Sequence, residues 1–219
     1  MSAVRIRQRA CNIKIMIYEA FPIPIYCELI NGYDRDECIE EINRDVESVD
    51  KRYFGDNSDI EQIHQKQSFQ WLNDQVKHHV KKYLETIGCT TNVSVAVQKS
   101  WAIVLTQGGS VARHKHVNSH LSCIFYLQTG ASTITFYKDP HHCLENLPVE
   151  YVTGNDYNTN GVSLNPSEGY LLIFPSELEH GVKPYHSDIP RYSISYDIML
   201  VSDTPRENMV LNPTQWKVL

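Results

Sequence analysis

The pattern of apolar and polar positions changes period near residue 93. Before it, apolar residues recur twice at helical spacing: Ile39, Ile42, Val46 and Val49 after Asp34, then Phe69, Leu72, Val76, Val80 and Leu84 after Ser68. Residues three and four apart share one face of a helix. The first run therefore predicts an amphipathic helix to about Tyr53, opened by a capping box of Asp34 with Glu37. The second predicts a helix stopped by Gly88, a natural C-terminal cap. Two short extended segments, 15–18 and 22–26, precede both, and the prolines Pro22 and Pro24 place the second at a sheet edge because proline cannot donate to a central ladder.

From residue 93 onward the period is two. Apolar alternation and apolar runs predict strands at 93–97, 101–106, 121–128, 133–137, 150–153, 170–174 and 191–201, separated by glycine, proline and asparagine. A helical front followed by about seven strands predicts a mostly β fold, a jelly roll or double-stranded β-helix with the N-terminal helices packed on one sheet. At 219 residues the chain is long enough to bury a sizeable core without staples, so one domain is expected over 1–219, with a barrel at about 93–201 and a flexible start at 1–14. The polar stretch 139–167 reads as a long loop, either a lid or binding element or a tolerated surface insertion.

Charge narrows the partners. A net charge of -6 and a pI of 5.9 give no overall basic footprint for nucleic acid or an anionic membrane. The six cysteines (Cys11, Cys27, Cys38, Cys89, Cys123, Cys143) show no C-x-x-C spacing; reduced thiols and a cytoplasmic setting are expected. Arg5, Arg7, Arg9 and Lys14 form no amphipathic stripe and read as a solvated start. No apolar run approaches the roughly 18 residues of a membrane span, so neither a membrane nor a nucleic-acid partner is expected.

Candidate chemistry concentrates in two places. His114 and His116 stand two residues apart ahead of the apolar run 121–128, and His180 follows 64 residues after His116. Side chains at i and i+2 of an extended chain point to one face, so the pair can close on one metal ion if a distant strand supplies another ligand. Non-haem iron oxygenases commonly use two histidines and one carboxylate, but here a histidine stands where the carboxylate is usual. Three assignments follow: a face of His114, His116 and His180; a carboxylate supplied by Asp139; or one of the paired histidines set behind the ligands. His120 reads as a rim residue, and His141 and His142 as loop residues.

The second place is 191–198. Alternation puts Arg191, Ser193, Ser195 and Asp197 on one face and Tyr192, Ile194, Tyr196 and Ile198 on the other. A buried arginine needs a partner. Its fork matches a carboxylate with two parallel hydrogen bonds and serine can add a third, so a dicarboxylate chelating the metal with its other end would satisfy both places. A salt bridge to an internal acid is the structural alternative.

As an ordered set, Gly108-Gly109, His114-Lys115-His116, Asn118-Ser119, Leu121-Ser122, Phe125-Tyr126-Leu127, Phe174-Pro175-Ser176, His180 and Arg191-Tyr192-Ser193-Ile194-Ser195 closely resemble the 2-oxoglutarate/Fe(II) oxygenases of marine bacteria and their phages. Phe21-Pro22-Ile23-Pro24 is similar to that family's opening strand and Ser100-Trp101 to its Ser-Trp, so the resemblance spans about 21–200. It implies a double-stranded β-helix holding Fe(II), with 2-oxoglutarate chelating the iron while its far carboxylate meets Arg191, assisted by Ser193. Tyr126 matches a position at which related prolyl hydroxylases contact the co-substrate. His-x-His is the narrower family's own pattern; the wider superfamily has His-x-Asp/Glu.

The implied activity consumes molecular oxygen and 2-oxoglutarate, releases succinate and carbon dioxide, and hydroxylates a peptide side chain, an amino acid or a small metabolite. No protein acid or base is needed for the central step; the protein orients co-substrate and substrate. Trp101, Asn118 and His120 are the candidates for substrate contact. The competing readings are a cupin-like three-histidine dioxygenase that uses no 2-oxo acid, disfavoured by Arg191 with Ser193, and a non-catalytic metal- or ligand-binding barrel.

Overall fold

The computed structural model describes residues 8–10, 16–18, 22–46, 57–89, 93–130, 133–138, 150, 152–155, 158–202 and 211–217. Gln8–Ala10 (β1) and Met16–Tyr18 (β2) pair as a separate two-stranded ladder. Then come Tyr26–Leu29 (β3), Arg35–Val46 (α1), Asn57–Glu61 (β4) and Gln70–Thr86 (α2). The strands that follow are Ser94–Leu105 (β5), Val111–His114 (β6), Leu121–Gln128 (β7), Ile134–Tyr137 (β8), Gly161–Leu164 (β9), Tyr170–Pro175 (β10), His180–Val182 (β11) and Arg191–Val201 (β12).

Two antiparallel sheets result, ordered β3-β10-β7-β12-β5-β4 and β6-β11-β8-β9. This is the mostly β, jelly-roll architecture that the change of period predicts. The strands 121–128 and 191–201 begin and end where alternation places them. Elsewhere the boundaries move for physical reasons. β3 starts only after Pro22 and Pro24 and forms an edge of the larger sheet, as residues without an N–H donor require. The expected strands 93–97 and 101–106 are one strand, because a register shift opposite Asp197 and Ile198 accommodates the extra polar residue between them. No strand forms over the described part of 150–153; Gly161–Leu164 pairs with β8 instead.

Both helices follow their sequence signals. Asp34 Oδ1 accepts from the Glu37 amide at 3.0 Å, which satisfies one orphan donor of α1; the expected continuation over 47–53 lies outside the described residues. Beyond α2, Gly88 takes φ +85°, the left-handed conformation of a helix C-terminus. Ile42 of α1 and Leu72, Val76 and Val80 of α2 share one buried cluster with Phe125, Ile194 and Tyr196 of the larger sheet. Burying each such side chain stabilises by roughly 1.5–3 kcal/mol. Tyr33 stacks on Trp71 at 5.0 Å, and both meet the edge of Phe125.

A second cluster, Ile124, Tyr126, Ile134, Phe136, Leu172 and Phe174, draws on β7, β8 and β10. Adjacent residues of β7 thus serve different layers, Phe125 toward the helices and Ile124 and Tyr126 toward the smaller sheet. Cys27, Cys38, Cys89 and Cys123 are free thiols; Cys11 and Cys143 lie outside the described residues. No helix among the described residues is long and apolar enough to cross a membrane.

Candidate active site

The smaller sheet assembles the histidines. β6 ends at His114, whose ladder partner across the sheet is His180, the first residue of β11. A β-carbon on Gly181 would sit 2.9 Å from the Val111 carbonyl oxygen and 3.3 Å from the Arg113 backbone, so glycine lets β11 approach β6 this closely. His116 stands two residues past β6, held by its amide, which donates to the Ser176 carbonyl at 2.9 Å. The pair therefore crowns a short strand of its own and is separated from β7 by a turn.

The three rings converge, with centroids 4.4 Å (His114 to His180), 5.1 Å (His114 to His116) and 5.2 Å (His116 to His180) apart. One ligand atom from each lies within 4.8 Å of the others. Their outer nitrogens are already engaged. Nδ1 of His114 meets the Ala112 carbonyl at 2.8 Å, Nδ1 of His180 meets the Leu178 carbonyl at 2.9 Å, and Nδ1 of His116 meets Asp197 Oδ1. A carbonyl can only accept, so Nδ1 of His114 and His180 carries the proton and Nε2 presents a lone pair. The Nε2 atoms of His114 and His116 are only 3.2 Å apart, a spacing that calls for a proton or a cation between them. Burial holds the His114 imidazole below its usual range against the Ala112 carbonyl, and it lowers His180 to about 4. Both favour the neutral, ligating form. This donor set suits a divalent transition metal.

The other end of the cavity belongs to β12. Its polar face turns inward and its apolar face joins the helix-side cluster: Arg191, Ser193 and Ser195 line the cavity together with the three histidines, whereas Tyr192, Ile194, Tyr196 and Ile198 lie in the other core. Arg191 is 1% exposed and donates to Ser193 Oγ at 2.8 Å. Its guanidinium lies 5.0 Å from the Tyr126 ring centroid. The Tyr126 hydroxyl is fully buried and lacks a hydrogen-bond partner among the described residues; burial pushes its phenol up, against the pull of Arg191. Leaving a buried hydroxyl unpaired costs about 1–3 kcal/mol. Between the two ends the walls are apolar, including Ile103, Val111, Ile124 and Val182. A molecule with a chelating end, a short apolar middle and a carboxylate matches this distribution, so the residues present fit both Fe(II) and 2-oxoglutarate.

Trp101 also lines the cavity, its ring 5.4 Å from that of His116 and under the Lys99 ammonium at 5.1 Å. Asn118 and His120 are exposed and do not line it; His120 Nδ1 accepts from the Leu200 amide at 3.0 Å. Asp139, His141 and His142 lie outside the described residues. Alternation puts Asp197 on the same face of the strand as Arg191 and assigns it no task. Its contact with His116 spans 81 residues, and the available signal was only its alternation with Arg191.

Residues 99–197 match the model of a family described as "Putative 2OG-Fe(II) oxygenase", an interval that contains the histidines, Arg191, Ser193 and Asp197. Among solved structures, a prolyl-4-hydroxylase from Pseudomonas putida is 13% identical with a TM-score of 0.53, over 80% of this chain and 92% of that one. AviO1 from Streptomyces viridochromogenes Tue57 is 10% identical with a TM-score of 0.56, over 86% and 93%. HygX from Streptomyces hygroscopicus, with nickel and 2-oxoglutarate bound, is 11% identical with a TM-score of 0.50, over 87% and 92%. At these identities the likeness is one of fold. No curated protein matches the chain. With the family match across residues 99–197 and a histidine face able to hold a metal, the barrel of this chain is similar to the 2OG-Fe(II) oxygenases, oxidoreductases that work with Fe(II) and 2-oxoglutarate.

Proposed function

We propose that the protein is a hydroxylase in which His114, His116 and His180 hold Fe(II), and 2-oxoglutarate spans from that face to Arg191 and Ser193. One carbon–hydrogen bond of a peptide side chain, amino acid or small metabolite becomes a carbon–hydroxyl bond. One atom of O2 enters that hydroxyl and the other enters succinate, with release of carbon dioxide. The carrying observation is that three engaged imidazoles and a buried arginine face each other across apolar walls in one cavity.

Fe(II), when bound, supplies oxygen activation. The chain's own residues orient and exclude. Arg191 and Ser193 grip the far carboxylate, and Tyr126, with its spare hydroxyl, adds a donor at the same end. The apolar walls keep water from the reacting centre. Trp101 faces the substrate, with Asn118 and His120 further out on the rim.

The test is anaerobic addition of Fe(II) and then 2-oxoglutarate, followed by visible absorption. The wild type should develop a weak metal-to-ligand charge-transfer band that His180→Ala abolishes, and admission of oxygen should yield succinate. Bound iron without such a band would overturn the 2-oxoglutarate reading.

A further inference from the structure

The three histidines are not equivalent. His114 and His180 rest their Nδ1 atoms on neutral backbone carbonyls, those of Ala112 and Leu178. His116 instead rests on a carboxylate, Asp197 Oδ1, and both partners are nearly buried, with side chains 9% and 12% exposed. A face of three neutral imidazoles lacks the negative charge that a carboxylate ligand brings to the usual iron face.

The surroundings fix that carboxylate in place. Asp197 pairs in the ladder with Lys99 on β5 and Ser122 on β7. Ser119 Oγ lies 3.3 Å from Asp197 Oδ1 and 2.8 Å from Ser176 Oγ, which in turn lies 3.0 Å from Ser122 Oγ. Lys99 sets its ammonium over the Trp101 ring. Asp197 belongs to the central strand of the larger sheet, so its position is set by the core and not by the turn that carries His116.

We propose that Asp197 is a positioning residue which supplies the missing charge through His116, fixing the Nδ1–H tautomer and making this imidazole the strongest donor of the three. The inference rests on the reading of His116 as a metal ligand. Hydrogen bonding from a ligating imidazole to a carboxylate raises ligand basicity, and removal of such an outer partner typically costs 10–100-fold in metal affinity. An amide at this position could still accept the Nδ1 proton through its oxygen while carrying no charge. Orientation and charge are therefore separable.

The experiment is calorimetric titration with Co(II) alone, no 2-oxoglutarate, of wild type, Asp197→Asn, Asp197→Ala, Ser119→Ala and His116→Ala, with the cobalt ligand-field spectrum recorded for each. Expected is a loss of about 10-fold for Asp197→Asn and up to about 100-fold for Asp197→Ala, with a shifted spectrum in both. Ser119→Ala should bind as the wild type does. Wild-type affinity and spectrum in both Asp197 variants, with His116→Ala weakened, would overturn this inference alone. Equal weakening by Ser119→Ala and Asp197→Asn would also overturn it, since the carboxylate would then only brace the turn. Unchanged binding in His116→Ala would instead overturn the histidine reading beneath it. Asp197→Asn is isosteric, so it decides the matter even if Asp197→Ala fails to fold.

Discussion

The barrel interior and the layer between the larger sheet and the helices share β12 as a common wall, yet they differ in how completely they pair buried polarity. On the helix side, polar tips are closed in pairs: the Tyr192 hydroxyl donates to Asn43 at 2.9 Å, that of Tyr196 to Asn73 at 3.1 Å, and His79 Nδ1 meets the Tyr26 hydroxyl at 2.8 Å. Inside the barrel, one ligand atom from each of three histidines lies within 4.8 Å of the others, and the Tyr126 hydroxyl lacks a partner among the described residues. Unpaired buried groups are expensive. The inward face of β12 also closes Arg191 on Ser193 and Asp197 on His116, but among the described residues the barrel alone gathers converging histidine ligand atoms and an unpaired buried hydroxyl, a surface shaped for something that binds. Burial alone would not separate the two: His79 is 5% exposed and His180 is 4% exposed.

The sharpest way to break this contrast is at Arg191. Truncating one partner of a buried, charged hydrogen-bonded pair costs about 2–5 kcal/mol, so Arg191→Ala should weaken 2-oxoglutarate by roughly 30-fold to several thousand-fold. Arg191→Lys should recover only part, because a point charge does not reproduce the fork. Titration of the charge-transfer band measures both. Wild-type 2-oxoglutarate affinity in Arg191→Ala would mean that the interior arginine is structural, and the contrast would dissolve.

A smaller effect is expected three residues along the strand, on the opposite face. Ile194 is fully buried in the helix-side cluster, and Ile194→Val should lower stability by about 0.5–1.5 kcal/mol, read as a lower midpoint in urea. The affinity for 2-oxoglutarate should not change. A loss of affinity comparable to that of an inward substitution would show that the two faces of β12 are not independent.

How much of this was legible in the sequence follows from the length of each signal. β12 and β7 have eleven and eight residues, enough for alternation or an apolar run to fix both ends, and alternation separates the two faces of β12 without saying which is inward. β6 and β11 have four and three residues, too few for a period, although they carry two of the converging histidines. Polar Gln98, Lys99 and Ser100 suggested a break in what is one strand; a polar run marks a boundary only when no bulge absorbs it. Asp197 illustrates the remaining limit. Its face was legible, but its partner depends on a register set by three neighbouring strands and a turn, which no local pattern encodes.

The smallest expected effect concerns His79, the helix-side counterpart of the barrel histidines. Burial, with His78 and Lys82 adding to it and Glu28 opposing it, holds its imidazole below the usual value. The sign follows from linkage: as pH falls below about 6.5 the unfolded chain takes up the proton before the folded one does. The corresponding stability is present above that pH and is lost as pH falls through the lower folded value. His79→Gln removes this titration, so its urea midpoint should fall less than the wild type's between pH 7.5 and 5.5. In the barrel, a bound metal would itself hold His114, His116 and His180 neutral, so metal-saturated protein isolates the helix-side contribution. An identical decline in His79→Gln and wild type under metal saturation would show that the Tyr26 hydroxyl pair does not exclude the proton, and that the closed polarity of this layer is looser than its geometry.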